Sequence, residues 1–214
     1  LMRSDNHRGT RSDAGRRVFT RDEIVERLGR KPPAPLPDDL HLSPVPPGAR
    51  VTLAAVLVPL VSRDGAINVL LTQRSAHLRD HPNQISFPGG RVEGGDENRI
   101  DTALREATEE TGLARERVEV LGMLPLHEMS SGFRISPVVG WIEPPFELKP
   151  DPFEVADTFE VPLAHFLDPA NHLRRYYYFN GRHRHYLAMP FEGRYIWGAT
   201  AGMLYSFYRQ LRHS

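Results

Sequence analysis

The chain alternates between two hydrophobic rhythms, and the places where one gives way to the other mark its elements. Residues 51–61 form a nearly continuous apolar run rich in β-branched side chains, the pattern of a strand covered on both faces. Asp64-Gly65 makes a tight turn, and residues 67–72 are the predicted partner strand. Residues 100–111 read as a helix that stops at Gly112, a normal C-terminal signal. Residues 118–127 and 133–142 read as two strands joined through 128–132. A further strand, 154–161, runs into a short helix over 163–167. Residues 174–179 and 183–189 flank Asn180-Gly181, a strong hairpin signal. Residues 195–211 close the chain as an amphipathic helix, with Trp197, Leu204, Tyr208 and Leu211 expected on the core side.

Ahead of residue 51 the pattern weakens. Residues 1–18 are polar and carry Arg3, Arg8, Arg11, Arg16 and Arg17. So few apolar groups cannot offset the entropy of ordering, and a disordered basic tail is expected. Thr20 and Glu23 have capping-box spacing, and Phe19 with Ile24 are placed as a hydrophobic staple, so a short helix is expected to start at Thr20 and stop at Gly29. The rest of 19–50 is rich in proline and reads as an extended connector. Residues 51–214 are then the single folded domain. Composition and periodicity alone give only mixed α and β.

Length supports one domain, since 214 residues with 40% hydrophobic content suffice for a packed core. A formal net charge of zero recruits neither nucleic acid nor an anionic membrane, so anion binding must be local. The absence of cysteine excludes disulfides, thiolate catalysis and zinc-thiolate sites. No apolar run reaches the roughly 18 residues of a membrane span, and the first residues lack a signal-peptide core. The expected location is the cytoplasm.

The chemistry concentrates in the predicted helix after Gly89-Gly90. Glu106, Glu109 and Glu110 lie at i, i+3 and i+4, within roughly 100° of arc on one face. A solvated acidic face is one reading. Against it, like charges at i,i+4 destabilise a helix, no lysine lies within the run, and Arg105 alone is adjacent. A divalent cation relieves the repulsion; Mg²⁺ and Mn²⁺ both prefer carboxylate oxygens and keep waters for substrate phosphates.

The stretch Arg105-Glu106-Ala107-Thr108-Glu109-Glu110-Thr111-Gly112-Leu113 resembles the end of the Nudix hydrolase signature, G-x5-E-x7-R-E-U-x-E-E-x-G-U with U aliphatic. Glu97 sits where the x7 spacing wants a glutamate, but six residues earlier stands Arg91 rather than glycine, so the turn is one residue longer than the general signature. A coenzyme A-cleaving branch of the family carries that longer turn, preceded by a motif like L-L-T-x-R-S-x-x-L-R-x-H-x-G-Q-I/V-x-F-P-G-G. Here Leu70-Leu71-Thr72-Gln73-Arg74-Ser75 leads through Leu78-Arg79 and His81 to Gln84-Ile85-Ser86-Phe87-Pro88-Gly89-Gly90, and only Asn83 departs, in place of glycine. Asparagine best tolerates the left-handed backbone among non-glycine residues, so the loop shape is expected to survive. The segment 131–140 also resembles that branch.

The resemblance implies an α/β/α sandwich around a mixed sheet and metal-dependent hydrolysis of the phosphoanhydride of coenzyme A, or its acyl or oxidised forms, to 3'-phosphoadenosine 5'-phosphate and 4'-phosphopantetheine. Bottom-up, clustered carboxylates without a nucleophilic cysteine favour metal-assisted attack by water. Glu106 and Glu110 are the first metal ligands to consider, with Glu109 completing the shell or orienting water. By the resemblance, Arg105 pairs with a box glutamate, Glu97 is an accessory metal contact, and Glu154 is a further ligand or the base that activates water. Arg74, Arg79, His81, Gln84, Gly89 and Gly90 are the candidate substrate contacts. His127 reads either as a proton carrier or as a merely hydrogen-bonded strand-end histidine, and the Arg182-His183-Arg184-His185 edge as a contact for a 3'-phosphate or a charged edge against aggregation.

Two other functions stay open: hydrolysis of another nucleoside diphosphate derivative such as ADP-ribose or NADH, and a binding module of the same fold that has lost catalysis. Homodimers are common in the family, but nothing in the sequence locates an interface.

Overall fold

The structure, a computed structural model, describes residues 18–34, 48, 50–179 and 182–213. The arginine-rich segment 1–17, most of the proline-rich connector and the Asn180-Gly181 turn lie outside the described residues. In chain order the elements are α1 (Arg21–Leu28), β1 (Thr52–Arg63), β2 (Ala66–Arg74), β3 (Ile85–Ser86), β4 (Gly89–Arg91), α2 (Arg99–Thr111), β5 (Val118–Met123) and β6 (His127–Glu128). They continue with β7 (Phe133–Ile142), β8 (Val155–Pro162), α3 (Leu163–Leu167), β9 (Leu173–Phe179), β10 (Arg182–Ala188) and α4 (Gly198–Arg212). Among the described residues no helix is long and apolar enough to cross a membrane.

β1 is the axis of a mixed sheet. Along one edge it runs parallel to β7, from Thr52 opposite Phe133 to Val61 opposite Ile142. Along the other it pairs antiparallel with β4 and then with β2, and β2 pairs in turn with β3 and β8. The alternation within β1 feeds two cores. Ala54, Val56, Val58 and Leu60 join one, and Ala55, Leu57 and Val61 the other. This is why the run reads as continuously apolar: both faces are covered, and each fully buried aliphatic side chain contributes about 1.5–3 kcal/mol.

α2 alone packs on the second core, through Ala103, Leu104 and Ala107. Its start is fixed by Asn98, whose side-chain oxygen accepts from the N–H groups of Ile100 at 2.8 Å and Asp101 at 3.1 Å. Its end is fixed by Gly112 at φ 69°, where a Cβ would lie 2.8 Å from the Lys149 backbone. α1, α3 and α4 cover the opposite face, which makes an α/β/α sandwich. The capping box of Thr20 and Glu23 forms, and Phe19 and Ile24 are buried in the same core as Leu204, Phe207 and Leu211. α1 is thereby part of the packed body, further tied by Gln210 donating to the Arg27 carbonyl at 2.7 Å.

Two expectations need correcting. The strand expected over 118–127 is two short strands: the register shifts between Val120 and Gly122, and Pro125, which has no N–H to donate, lies in the gap before β6. The last helix starts at Gly198, not at 195, and Trp197 is its N-cap, 37% exposed and edge-on to Tyr186. Leu204 and Leu211 do face the core, with Tyr208 packed at its margin.

Candidate active site

The site forms where β4 and the end of β2 meet the side of α2 that carries Glu106 and Glu110. Gly90 brings the β4 backbone so close that an added Cβ would sit 2.4 Å from a Glu106 carboxylate oxygen. Beside it, the Gly89 N–H donates to Glu110 Oε2 at 3.2 Å. Arg74, the last residue of β2, places Nη1 3.9 Å from Glu110 Oε1. The glycines therefore act by permitting approach: one strand's backbone contacts two carboxylates.

Electrostatics separate the three glutamates. Glu110 is 5% exposed, and burial pushes its carboxyl up to about 8; the Gly89 N–H and Arg74 pull it down, while the charges of Glu106 and Glu154 push it up further. Burial also raises Glu106 above the usual carboxylate range, opposed by Arg105 and reinforced by Glu109 and Glu154. Glu109 stands apart, with its side chain 58% exposed and Oε2 3.0 Å from Arg105 Nη1. Glu154 lies just ahead of β8, its carbonyl accepting from the Ser75 N–H at 2.9 Å. The loop that follows β2 is thus laced to the Glu154 turn, and Ser75 Oγ donates to the Pro152 carbonyl at 3.1 Å.

Arg105 is held firmly. Asp96, whose side chain is 4% exposed, accepts from Arg105 Nε at 2.9 Å and from Nη2 at 3.1 Å. Nη1 of Arg105 reaches Glu106 at 3.1 Å, and Nη2 also donates to the Arg91 carbonyl at 3.1 Å. Asp96 accepts in addition from the Glu93 N–H at 2.9 Å and the Thr102 hydroxyl at 2.8 Å. Those bonds, led by the one from Arg105, hold its carboxyl far below the usual range.

Among the described residues no three His, Asp or Glu side chains converge tightly enough to hold an ion as they stand. The donor set still fits a hard divalent cation. Glu106 and Glu110 are one turn apart and partly desolvated; Glu106 and Glu154 raise the cost of ionising Glu110, and Glu109 and Glu154 that of Glu106, a repulsion that a cation among them relieves.

Comparison with known proteins supplies the family. A NUDIX domain model matches residues 51–185. The chain belongs to the Nudix family. An uncharacterized Nudix hydrolase NudL from Pectobacterium atrosepticum is 42% identical over 163 residues, 74% of this chain and 82% of that protein. Its counterpart from Escherichia coli strain K12 is 44% identical over 156 residues, 71% of this chain and 78% of that protein. Among solved structures, a Caenorhabditis elegans Ap4A hydrolase binary complex superposes with a TM-score of 0.44 and 24% identity over 53% of this chain and 81% of that chain, too loosely to bear on substrate. Nudix hydrolases generally use divalent metal cations.

Within this Nudix domain the expected residues divide. Arg74, Gly89, Gly90, Arg105, Glu106 and Glu110 come together, and the charge of Glu154 reaches them. Arg79 and His81 lie exposed on the loop after β2 and make no side-chain hydrogen bond or ion pair with the described residues. Gln84 is half-buried, with its amide beside Gly198 at the start of α4. His81 and Asn83 both take positive φ, 54° and 60°, so asparagine does hold the left-handed turn. His127 sits on the α4 face of the sheet, against Gly202, across from the glutamates.

The residue that sequence reasoning missed is Asp96. The general Nudix spacing points to Glu97, which is exposed here; the extra residue in the turn brings Asp96 to Arg105 instead. The available signal was the departure itself, since a turn lengthened by one residue shifts which acid faces the arginine.

Proposed function

We propose that this Nudix protein hydrolyses the phosphoanhydride of coenzyme A, releasing 3'-phosphoadenosine 5'-phosphate and 4'-phosphopantetheine. The observation that carries the reading is the junction of Arg74 with Glu110: the segment that resembles the coenzyme A branch, 70–90, delivers its arginine and both its glycines onto the carboxylate cluster. A specificity motif and a reaction centre that share one wall act on one substrate.

Glu106 and Glu110 would hold Mg²⁺ or Mn²⁺, with Glu109 free to swing from Arg105 toward the same ion or its water. When bound, the cation supplies Lewis-acid polarisation of the phosphoryl group and lowers the pKa of water. The chain's own groups do the rest. Arg74 would offer N–H donors to a diphosphate oxygen, a charge-assisted contact that strengthens as negative charge builds on the bridging oxygen. Arg105, clamped by Asp96, fixes the Glu106 rotamer. Glu154, half-buried and with its charge bearing on both Glu106 and Glu110, would accept the proton of the attacking water. Arg79, His81 and Gln84 line the loop along which the rest of the nucleotide would extend, and residues 51–213 with α1 form the catalytic unit.

Product analysis tests the reading. Coenzyme A and Mg²⁺ should yield the two products in equal amounts, with none after chelation. Loss of the 3'-phosphate alone, or no reaction, would contradict it.

A further inference from the structure

We propose that Phe153 and His77 form a platform on which the adenine base of the substrate stacks; the proposal rests on the reading that a nucleoside diphosphate derivative is cleaved at the glutamates. Phe153 is the residue immediately before Glu154, and it is 65% exposed. Its ring centroid lies 4.8 Å from that of His77, with the planes tilted by 55°. An exposed phenylalanine on a mobile loop would mean little, but this one sits on a turn held from both sides. The Phe153 N–H donates to Asp151 Oδ1 at 2.9 Å, and the N–H groups of Glu154 and Val155 donate to the Asp151 carbonyl at 3.0 and 2.8 Å. His77 lies on the loop after β2, which Ser75 fastens to the same turn through its bonds to Pro152 and Glu154.

The chain thus presents two aromatic rings in mutual contact, one of them on the residue next to a carboxylate whose charge bears on Glu106 and Glu110. Two fixed rings beside a diphosphate site match a planar π-system, and every nucleobase offers one; the thin, amide-bearing pantetheine arm does not. Stacking of a base on an aromatic side chain contributes about 1–3 kcal/mol, so losing it corresponds to a KM increase of about 5- to 150-fold. Because the phosphates are gripped elsewhere, kcat should change little. Phe153 and His77 are therefore assigned to substrate choice, so the loop after β2 contributes to specificity through His77, a position the resemblance motif leaves unspecified, as well as through Arg74.

The test compares coenzyme A with a base-free analogue, a pantetheine diphosphate methyl ester, in wild type, Phe153→Leu, Phe153→Trp and His77→Ala. The expected result is that Phe153→Leu raises KM for coenzyme A within that range, leaves the analogue's KM unchanged, and is rescued by Phe153→Trp. His77→Ala should show the same split. In Phe153→Trp, titration with adenosine 3',5'-bisphosphate without metal should quench fluorescence beyond the wild-type background. An unchanged KM, an equal rise for both compounds, or no added quenching would overturn the platform. If wild type cleaves ADP-ribose but not coenzyme A, the same comparison is run on ADP-ribose against its analogue lacking the base. A base-dependent KM effect there would sink the coenzyme A reading and keep the platform; none would sink both. If nothing turns over, the quenching titration alone decides.

Discussion

Asp96 grips Arg105 through two parallel hydrogen bonds, 2.9 and 3.1 Å, and through it sets where Glu106 and Glu109 can point. A planar guanidinium held by a fork of carboxylate oxygens has little rotational freedom, so the glutamate-bearing side of α2 is ordered from a turn nine residues upstream.

Asp96→Ala should therefore lower metal affinity or kcat by about 10- to 100-fold, the usual effect of removing a group that orients a ligand. Metal titration by calorimetry alongside kinetics checks this. Its depressed carboxyl also carries a pH signature. The folded value lies below the unfolded one, so the contribution to stability is present above the unfolded value and lost as pH falls through the folded one. Acid unfolding of Asp96→Ala should begin from lower stability and show a shallower decline below pH 4 than wild type, as followed by circular dichroism.

The same pair shows the limits of reading sequence. α2 was legible almost to the residue, because Gly112 is local punctuation that ends it, while its start at the Asn98 cap was read only from the structure. β7 and α3 were equally legible, and the Asn83 turn kept the shape that side-chain chemistry allows. The parallel pairing of β1 with β7 and the burial of Phe19 and Ile24 under α4 join residues far apart in the chain, which no local pattern records. Within the site the glutamates were plain, but the exposure of Glu109 and the choice of Asp96 over Glu97 depend on how an irregular turn is routed through space.

Glu110→Gln should cut kcat by orders of magnitude, and its effect on the metal-free fold should have the opposite sign. Burial raises Glu110 to about 8, so the proton it holds in the folded chain contributes stability that is fully present below the unfolded value and is lost as pH rises through about 8. In chelator, wild type should become steadily less stable between about pH 4.5 and 8, and Glu110→Gln should flatten that slope and melt a few degrees higher at pH 8. Thermal melts across pH decide; a variant less stable than wild type throughout would contradict a burial cost that outweighs the Gly89 and Arg74 contacts.

Gly90→Ala should abolish most activity with little loss of stability, since its Cβ would land 2.4 Å from a Glu106 oxygen and the side chain must swing away. Gly112→Ala is the contrast. There the Cβ would meet the Lys149 backbone at 2.8 Å in a left-handed conformation, so the expected loss is stability, of about 1 kcal/mol or more. Melting temperature and kcat measured on both variants should separate in opposite directions.

Arg74→Lys keeps a positive charge near Glu110 but loses the planar fork. A drop in kcat/KM of about tenfold or more, the size of one charge-assisted hydrogen bond, is expected, and near-normal kinetics would remove Arg74 from substrate binding.

The most direct test of the central claim is kcat/KM of the wild-type protein for coenzyme A against ADP-ribose and NADH, under one Mg²⁺ concentration and repeated with Mn²⁺. Coenzyme A should lead clearly, and 4'-phosphopantetheine should appear at the same rate as 3'-phosphoadenosine 5'-phosphate. A lead for ADP-ribose or NADH would contradict it, leaving the carboxylate chemistry in place and removing coenzyme A as its substrate.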